Sequence, residues 1–105
     1  MADFMKIMQQ AQQMQGKLQQ IQEELALRTV SASSGGGMVT VDADGKGQIT
    51  RIKIDPSIVD AKEVEMLEDL ITVAVGEAQS KAAEMAKEEM GKLAGGLNLP
   101  FGFPG

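Results

Sequence analysis

The sequence predicts an α+β fold in which a long helix, three short antiparallel strands and a second long helix follow one another. Apolar residues recur at alternating steps of three and four before residue 28 and again after residue 60, which is typical of amphipathic helices. Between these stretches, short segments alternate with period two, which is typical of strands with one buried face. A length of 105 residues suits one small domain.

The first helix is predicted over residues 3–27. Its apolar positions form an a/d heptad seam, made by Phe4, Ile7, Ala11, Met14, Leu18, Ile21 and Leu25. The facing positions are mostly glutamine, which favours helix and adds no charge.

The strands are predicted as RTVSAS (28–33), MVTVD (38–42) and GQITRIKID (47–55), with glycines 35–37 in the first turn. A two-residue turn at Asp44-Gly45 would pair Val41 with Gln48 and Val39 with Thr50. The apolar alternation then assigns a core face to Val39, Val41, Thr50, Ile52 and Ile54. The opposite, outer face would carry Met38, Thr40, Ile49, Arg51 and Lys53.

An EF-hand calcium loop is the alternative for the segment DADGKGQITRIK (42–53), since Asp42, Asp44 and Gly47 match its first, third and sixth positions. Its fifth and twelfth positions are Lys46 and Lys53, and an ammonium group cannot coordinate Ca²⁺. The flanking segments also alternate as strands. We therefore predict a hairpin and no metal site.

The second helix is predicted from about Ala61, after a capping box formed by Asp60 and Glu63, to about Leu93. Its early apolar positions are Val64, Leu67, Ile71, Ala74 and Ala78. The small residues that follow, Ala82, Ala83 and Ala86, either allow another helix to approach closely or simply favour helix. Residues 1–94 form one domain, and the Gly/Pro-rich residues 95–105 are predicted to be a flexible tail.

Three short strands cannot cover two long helices along their whole length. The apolar stripes that remain exposed predict a partner, most simply a second copy in a homodimer.

Composition excludes much chemistry. The chain has no His, Cys, Trp or Tyr, which removes the usual general base, the thiolate nucleophile and nearly all zinc ligands. We expect neither an enzyme nor a cofactor. No signal peptide or run of 18 apolar residues is present, so we expect a cytoplasmic protein without a membrane partner.

Charge is divided unevenly along the chain. Residues 1–54 carry six cations and five anions, net +1, whereas residues 55–105 carry four cations and ten anions, net −6. The total of −5 opposes a nucleic-acid partner, for which a basic patch is the expected footprint.

Four segments nevertheless resemble the YbaB/EbfC family of bacterial nucleoid-associated proteins. They are QQAQQMQGKLQQIQEELA, SGGGMVTVDADGKGQITRIKIDPS, EMLEDLITVAVGEA and GLNLPFGFPG, and they span almost the whole chain in the family's order. The resemblance implies a tweezers-like homodimer with projecting helices, DNA binding of variable sequence preference, location on the nucleoid, and no catalytic motif.

The resemblance also implies DNA contact on the projecting helices, at Lys6, Gln9, Gln10, Gln13 and Lys17 of the first helix and at Lys81, Lys87 and Lys92 of the last. The residues themselves suggest a second set near the sheet: Arg28, Lys46, Arg51 and Lys53. Two copies of the second set would give eight cations for phosphate contacts. Structural roles remain open, since lysines among glutamates form i,i+4 pairs and strand cations protect edges.

Two functions follow from these patterns. The first is a dimeric DNA-binding protein of low or modest specificity that uses contacts to the DNA backbone. The alternative is a dimeric protein-interaction scaffold with weak or no DNA binding, favoured by the acidic second helix and the apolar LPFGF segment.

Overall fold

The computed structural model describes residues 2–96 and the side chains of residues 3–95. Its elements are α1 (Ala2–Leu27), β1 (Thr29–Ser34), β2 (Val39–Asp44), β3 (Ile49–Ile54), a short 3₁₀ turn (Pro56–Ile58) and α2 (Val64–Gly96). The predicted order of helix, three strands and helix is confirmed. The strands form one antiparallel sheet in the order β1-β2-β3.

The predicted register between β2 and β3 is wrong. Val41 lies opposite Ile52 and Val39 opposite Ile54, because residues 45–48 connect the two strands in place of the predicted two-residue turn. The buried Asp44 carboxylate closes this loop by accepting hydrogen bonds from the backbone N–H groups of Lys46 (2.9 Å) and Gln48 (3.0 Å). A register shift at Asp42 and Ala43 brings Ile49 to the core side, although the sequence predicted it on the outer face.

The core lies between α2 and the first two strands. Val39, Val41 and Ala43 of β2 are fully buried against Ala74 and Ala78 of α2. These helix positions were predicted to be apolar, and their small side chains let the helix lie close to the sheet. Val64, predicted on the same stripe, is 51% exposed at the start of the helix.

Two sets of hydrogen bonds lie at the ends of the helices. Gly45 of the hairpin loop donates its backbone N–H to Leu25 O at 2.8 Å, near the end of α1. Before α2, Asp60 accepts hydrogen bonds from the backbone N–H groups of Lys62 and Glu63. Because this turn precedes the helix, α2 begins at Val64, three residues later than predicted. It continues through Gly96, and residues 97–105 of the predicted tail lie outside the described residues.

Much of the chain's apolar surface is uncovered. Ile52 on the core side of β3 is 45% exposed, and Phe4 and Ile7 of α1 are 65% and 62% exposed. The described chain is 72 Å long, with a radius of gyration of 19.8 Å. A compact domain of this length would have a radius of about 13 Å. The helices therefore extend well beyond the part of the fold that packs around the sheet.

Candidate nucleic-acid interface

The outer face of the sheet, opposite α2, is polar and solvent-accessible. We call it the strand face and define it by two rows that cross the strands, Ser31–Asp42–Arg51 and Ser33–Thr40–Lys53. The hydroxyl groups of Ser33 and Thr40 lie 3.1 Å apart and are hydrogen-bonded. Hydroxyl groups and cations on a shallow surface are the groups that contact a phosphate backbone.

Arg51 and Lys53 lie on the strand face and are exposed, as their alternation with Ile52 and Ile54 predicted. Among the described residues neither side chain has an ion-pair partner within 4.0 Å. Lys46, in the hairpin loop, is also exposed, and its backbone N–H donates to Asp44.

An acidic residue on the strand face was missed by the sequence reasoning. Asp42 lies directly opposite Arg51 and accepts a hydrogen bond from Ser31 Oγ at 2.5 Å. The nine residues from Lys46 to Ile54 contain no acid, so the negative charge comes from the neighbouring strand and not from the strand that carries Arg51. Alternation along β2 was the signal that could have revealed it, because Asp42 shares a face with Thr40; its position opposite Arg51 depends on the register.

Arg28 is engaged by a carboxylate of α2. Its Nη1 lies 3.0 Å from Glu89 Oε1, and Lys92 Nζ lies 3.3 Å from the same oxygen. The hydrogen bond from Lys92 lowers the pKa of Glu89, and Arg28 lowers it further, although burial acts in the opposite direction. Glu89 thus holds two of the predicted DNA-binding cations, and it joins the α1–β1 junction to α2.

Lys81 also makes an intramolecular contact. Its Nζ donates to Ser31 O at 2.7 Å, where α2 passes β1. In residues 3–95, ion pairs within 4.0 Å join Glu89 to Arg28 and Lys92. The i,i+4 spacings Glu77–Lys81 and Glu88–Lys92 form no ion pair in that range.

The remaining candidates are exposed on the helices, away from the strand face. They are Lys6, Gln9, Gln10, Gln13 and Lys17 of α1 and Lys87 of α2. The structure thus separates the predicted residues into a strand face, a group engaged by intramolecular contacts, and an exposed helical group.

Asp55, which follows β3, is kept ionised by its surroundings. It accepts a hydrogen bond from the backbone N–H of Ser57 at 2.9 Å. This bond lowers the pKa of Asp55, and the Ser57 hydroxyl and the charge of Lys53 lower it further. The carboxylate therefore closes the turn after β3, where the chain leaves the sheet.

Neither a membrane span nor a metal site emerges from residues 2–96. No helix in this range is both long and apolar enough to cross a bilayer. No three acidic side chains of these residues are grouped so that they could hold a metal ion.

Comparison with known proteins identifies close relatives. A "Nucleoid-associated protein" of Gemmatimonas aurantiaca is 53% identical over 102 residues, covering 97% of this chain and 98% of the relative. A "Nucleoid-associated protein" of Syntrophobacter fumaroxidans is 52% identical over 93 residues, covering 89% and 84%.

A solved structure supports the fold. The crystal structure of an uncharacterized protein from Helicobacter pylori aligns with a TM-score of 0.78 over 86% of this chain and 95% of its own, at 22% identity. The family model described as the YbaB/EbfC DNA-binding family matches residues 1–97. With nearly the whole chain matched by that model and by relatives of about 50% identity, this protein belongs to the YbaB/EbfC DNA-binding family.

Proposed function

We propose that this protein is a dimeric, nucleoid-associated DNA-binding protein of the bacterial cytoplasm that contacts the DNA backbone with low or modest sequence specificity. The observation that carries the proposal is the strand face. Arg51 and Lys53 lie exposed there, with no ion-pair partner within 4.0 Å among residues 3–95, beside the hydroxyl groups of Ser33 and Thr40. Such groups bind phosphates without distinguishing bases.

Dimerisation is supported by the apolar surface that one protomer leaves exposed. Ile52 and Val64 are about half exposed beside the core, and Phe4 and Ile7 continue the apolar seam of α1 into solvent. Exposed apolar residues that form a patch commonly mark an interface with another protein. A second copy would bury them and would double the cations of the strand face.

The salt dependence of binding measures how many phosphates the protein neutralises. Arg51 and Lys53 from two protomers give four cations, and neutralising four phosphates predicts a slope of about −3.6 for log K against log salt. Arg28 was expected to add to this number, but its ion pair with Glu89 removes it from the free cations. The strand face alone therefore predicts moderate, strongly salt-dependent affinity.

Fluorescence anisotropy of a labelled duplex, from low to physiological salt, tests the proposal. Replacing Arg51 and Lys53 with glutamine should weaken binding and flatten the salt slope. The matched control replaces Lys6 and Lys17, two exposed cations of α1, and should have the smaller effect. If the control loses more affinity than the strand variant, DNA contact lies on the helices and not on the sheet.

A protein-interaction scaffold is the second candidate function. It is favoured by the exposed apolar residues of α1 together with the acidic exposed surface of α2. The same titration separates the two functions. If the dimer is verified by light scattering and no DNA binding occurs even at low salt, the scaffold is the better account.

A further inference from the structure

One acidic side chain lies among the cations of the strand face. Asp42 lies on the central strand, opposite Arg51 on one side and Ser31 on the other. Its side chain is half-buried, and it is the only acidic residue in the two rows that define the strand face. A phosphate placed between Arg51 and Lys53 would therefore meet this carboxylate as well.

Ser31 holds the carboxylate toward β1. The Ser31 hydroxyl donates to Asp42 Oδ1 at 2.5 Å, whereas within the described residues Asp42 and Arg51 are not within 4.0 Å of one another as an ion pair. The guanidinium group thus stays available to a ligand. The carboxylate remains one strand spacing away, about 4.8 Å across the sheet.

We infer that Asp42 attenuates DNA binding by this protein and that Ser31 controls how strongly it does so. This inference rests on the proposed function. The carboxylate repels phosphate and competes with it for Arg51, and the Ser31 hydrogen bond limits that competition.

The size of the effect follows from Coulomb's law. One unit charge about 6 Å from a phosphate in water changes the affinity about threefold. Two symmetrical copies in a dimer would change it about tenfold when both strand faces contact the DNA. Salt reduces this effect, so the change should be largest at low ionic strength.

Asp42→Asn is the direct test because asparagine keeps the size of the side chain and can still accept the Ser31 hydrogen bond. The matched control is Asp69→Asn, which makes the same change in net charge at an exposed position of α2, on the other side of the sheet. Anisotropy titrations with a labelled duplex should show about tenfold tighter binding for Asp42→Asn and less than twofold for Asp69→Asn.

Ser31→Ala supplies a second variant with the opposite expected sign. Without the hydroxyl group, the carboxylate is free to move toward Arg51, so DNA binding should weaken about twofold to threefold. A merely structural role for either residue would not produce opposite shifts from two side chains that share one hydrogen bond. Thermal unfolding of each variant verifies that the fold is retained.

Two results would overturn the inference, and they differ in what they say of the proposed function. If wild-type protein binds DNA through Arg51 but Asp42→Asn binds no more tightly than Asp69→Asn, the attenuating role of Asp42 is wrong and the DNA-binding surface stands. If neither wild type nor Asp42→Asn binds DNA at low salt, both proposals fall.

Discussion

Replacing Gly45 with alanine would test the contact that ties the first helix to the sheet. A Cβ atom at this position would lie 2.6 Å from Leu25 O and 3.0 Å from Leu25 Cα. Both are backbone atoms, so no side-chain rotation can relieve the clash. The end of α1 and the hairpin loop must move apart, and the 2.8 Å hydrogen bond from Gly45 N to Leu25 O is weakened.

The expected loss of stability combines three contributions. Overpacking at a rigid site costs about 2 kcal/mol, and the hydrogen bond contributes about 1 kcal/mol. The lower freedom of alanine in the unfolded chain offsets about 0.5 kcal/mol. The free energy of unfolding should therefore fall by about 2.5 kcal/mol. With a urea m-value of about 2 kcal/mol/M, the unfolding midpoint falls by about 1.2 M.

Urea unfolding followed by far-UV circular dichroism measures this change. The control is Gly76→Ala, at an exposed position of α2 where no atom of the described residues outside the helix's own neighbouring backbone lies within 4 Å of the added Cβ. Because alanine is the better helix former, that variant should gain about 1 kcal/mol. All samples need equal protein concentration, since dissociation of the proposed dimer would contribute to the measured stability. A Gly45→Ala midpoint at or above that of wild type would refute the close approach.

Three other measurements examine separate parts of the molecule. Leu25→Ala should lower the free energy of unfolding by about 3 kcal/mol in urea titrations, because Leu25 is only 2% exposed; a loss below about 1 kcal/mol would contradict its burial. Ile52→Asp should leave the protomer fold intact yet dissociate the proposed dimer, as seen by light scattering, since Ile52 is already 45% exposed; an unchanged mass would place the partner elsewhere. Glu89→Gln should lower the melting temperature at pH 7 but not at acid pH. The pKa of folded Glu89 is lowered from its ordinary 4.5, so its ion pairs stabilise the protein above that pH and are lost as pH falls through the lowered value. A constant difference between wild type and variant at all pH values would contradict this role.

The order of elements was predictable because apolar residues recur with one period in helices and another in strands. Each long element repeats its own period several times. The register was not, because it depends on the length of one loop. The Asp44 carboxylate accepts hydrogen bonds from two backbone N–H groups of the loop, and Gly47 adopts a φ of +89°. Together they stabilise a longer loop than the Asp44-Gly45 turn favoured by local propensity.

The candidate site was only partly predictable for a related reason. Arg51 and Lys53 were placed correctly because alternation along one strand fixes their face. The contact between Arg28 and Glu89 joins residues 61 positions apart, and the contact between Lys81 and Ser31 joins residues 50 apart. No period along the chain indicates such contacts, since they arise only when α2 packs on the sheet.

The net charge of −5 is a poor guide to the surface that DNA would meet, because the fold separates the charges. Seven of the 15 acidic residues lie on α2, which covers the inner side of the sheet. The strand face on the other side has one carboxylate against two cations that lack ion pairs among the described residues. At physiological salt, charges more than about 8 Å apart are largely screened, so a phosphate at Arg51 is affected far more by Asp42 than by the acids of α2. The acidic helix would then restrict DNA to one side of the protein without abolishing binding there.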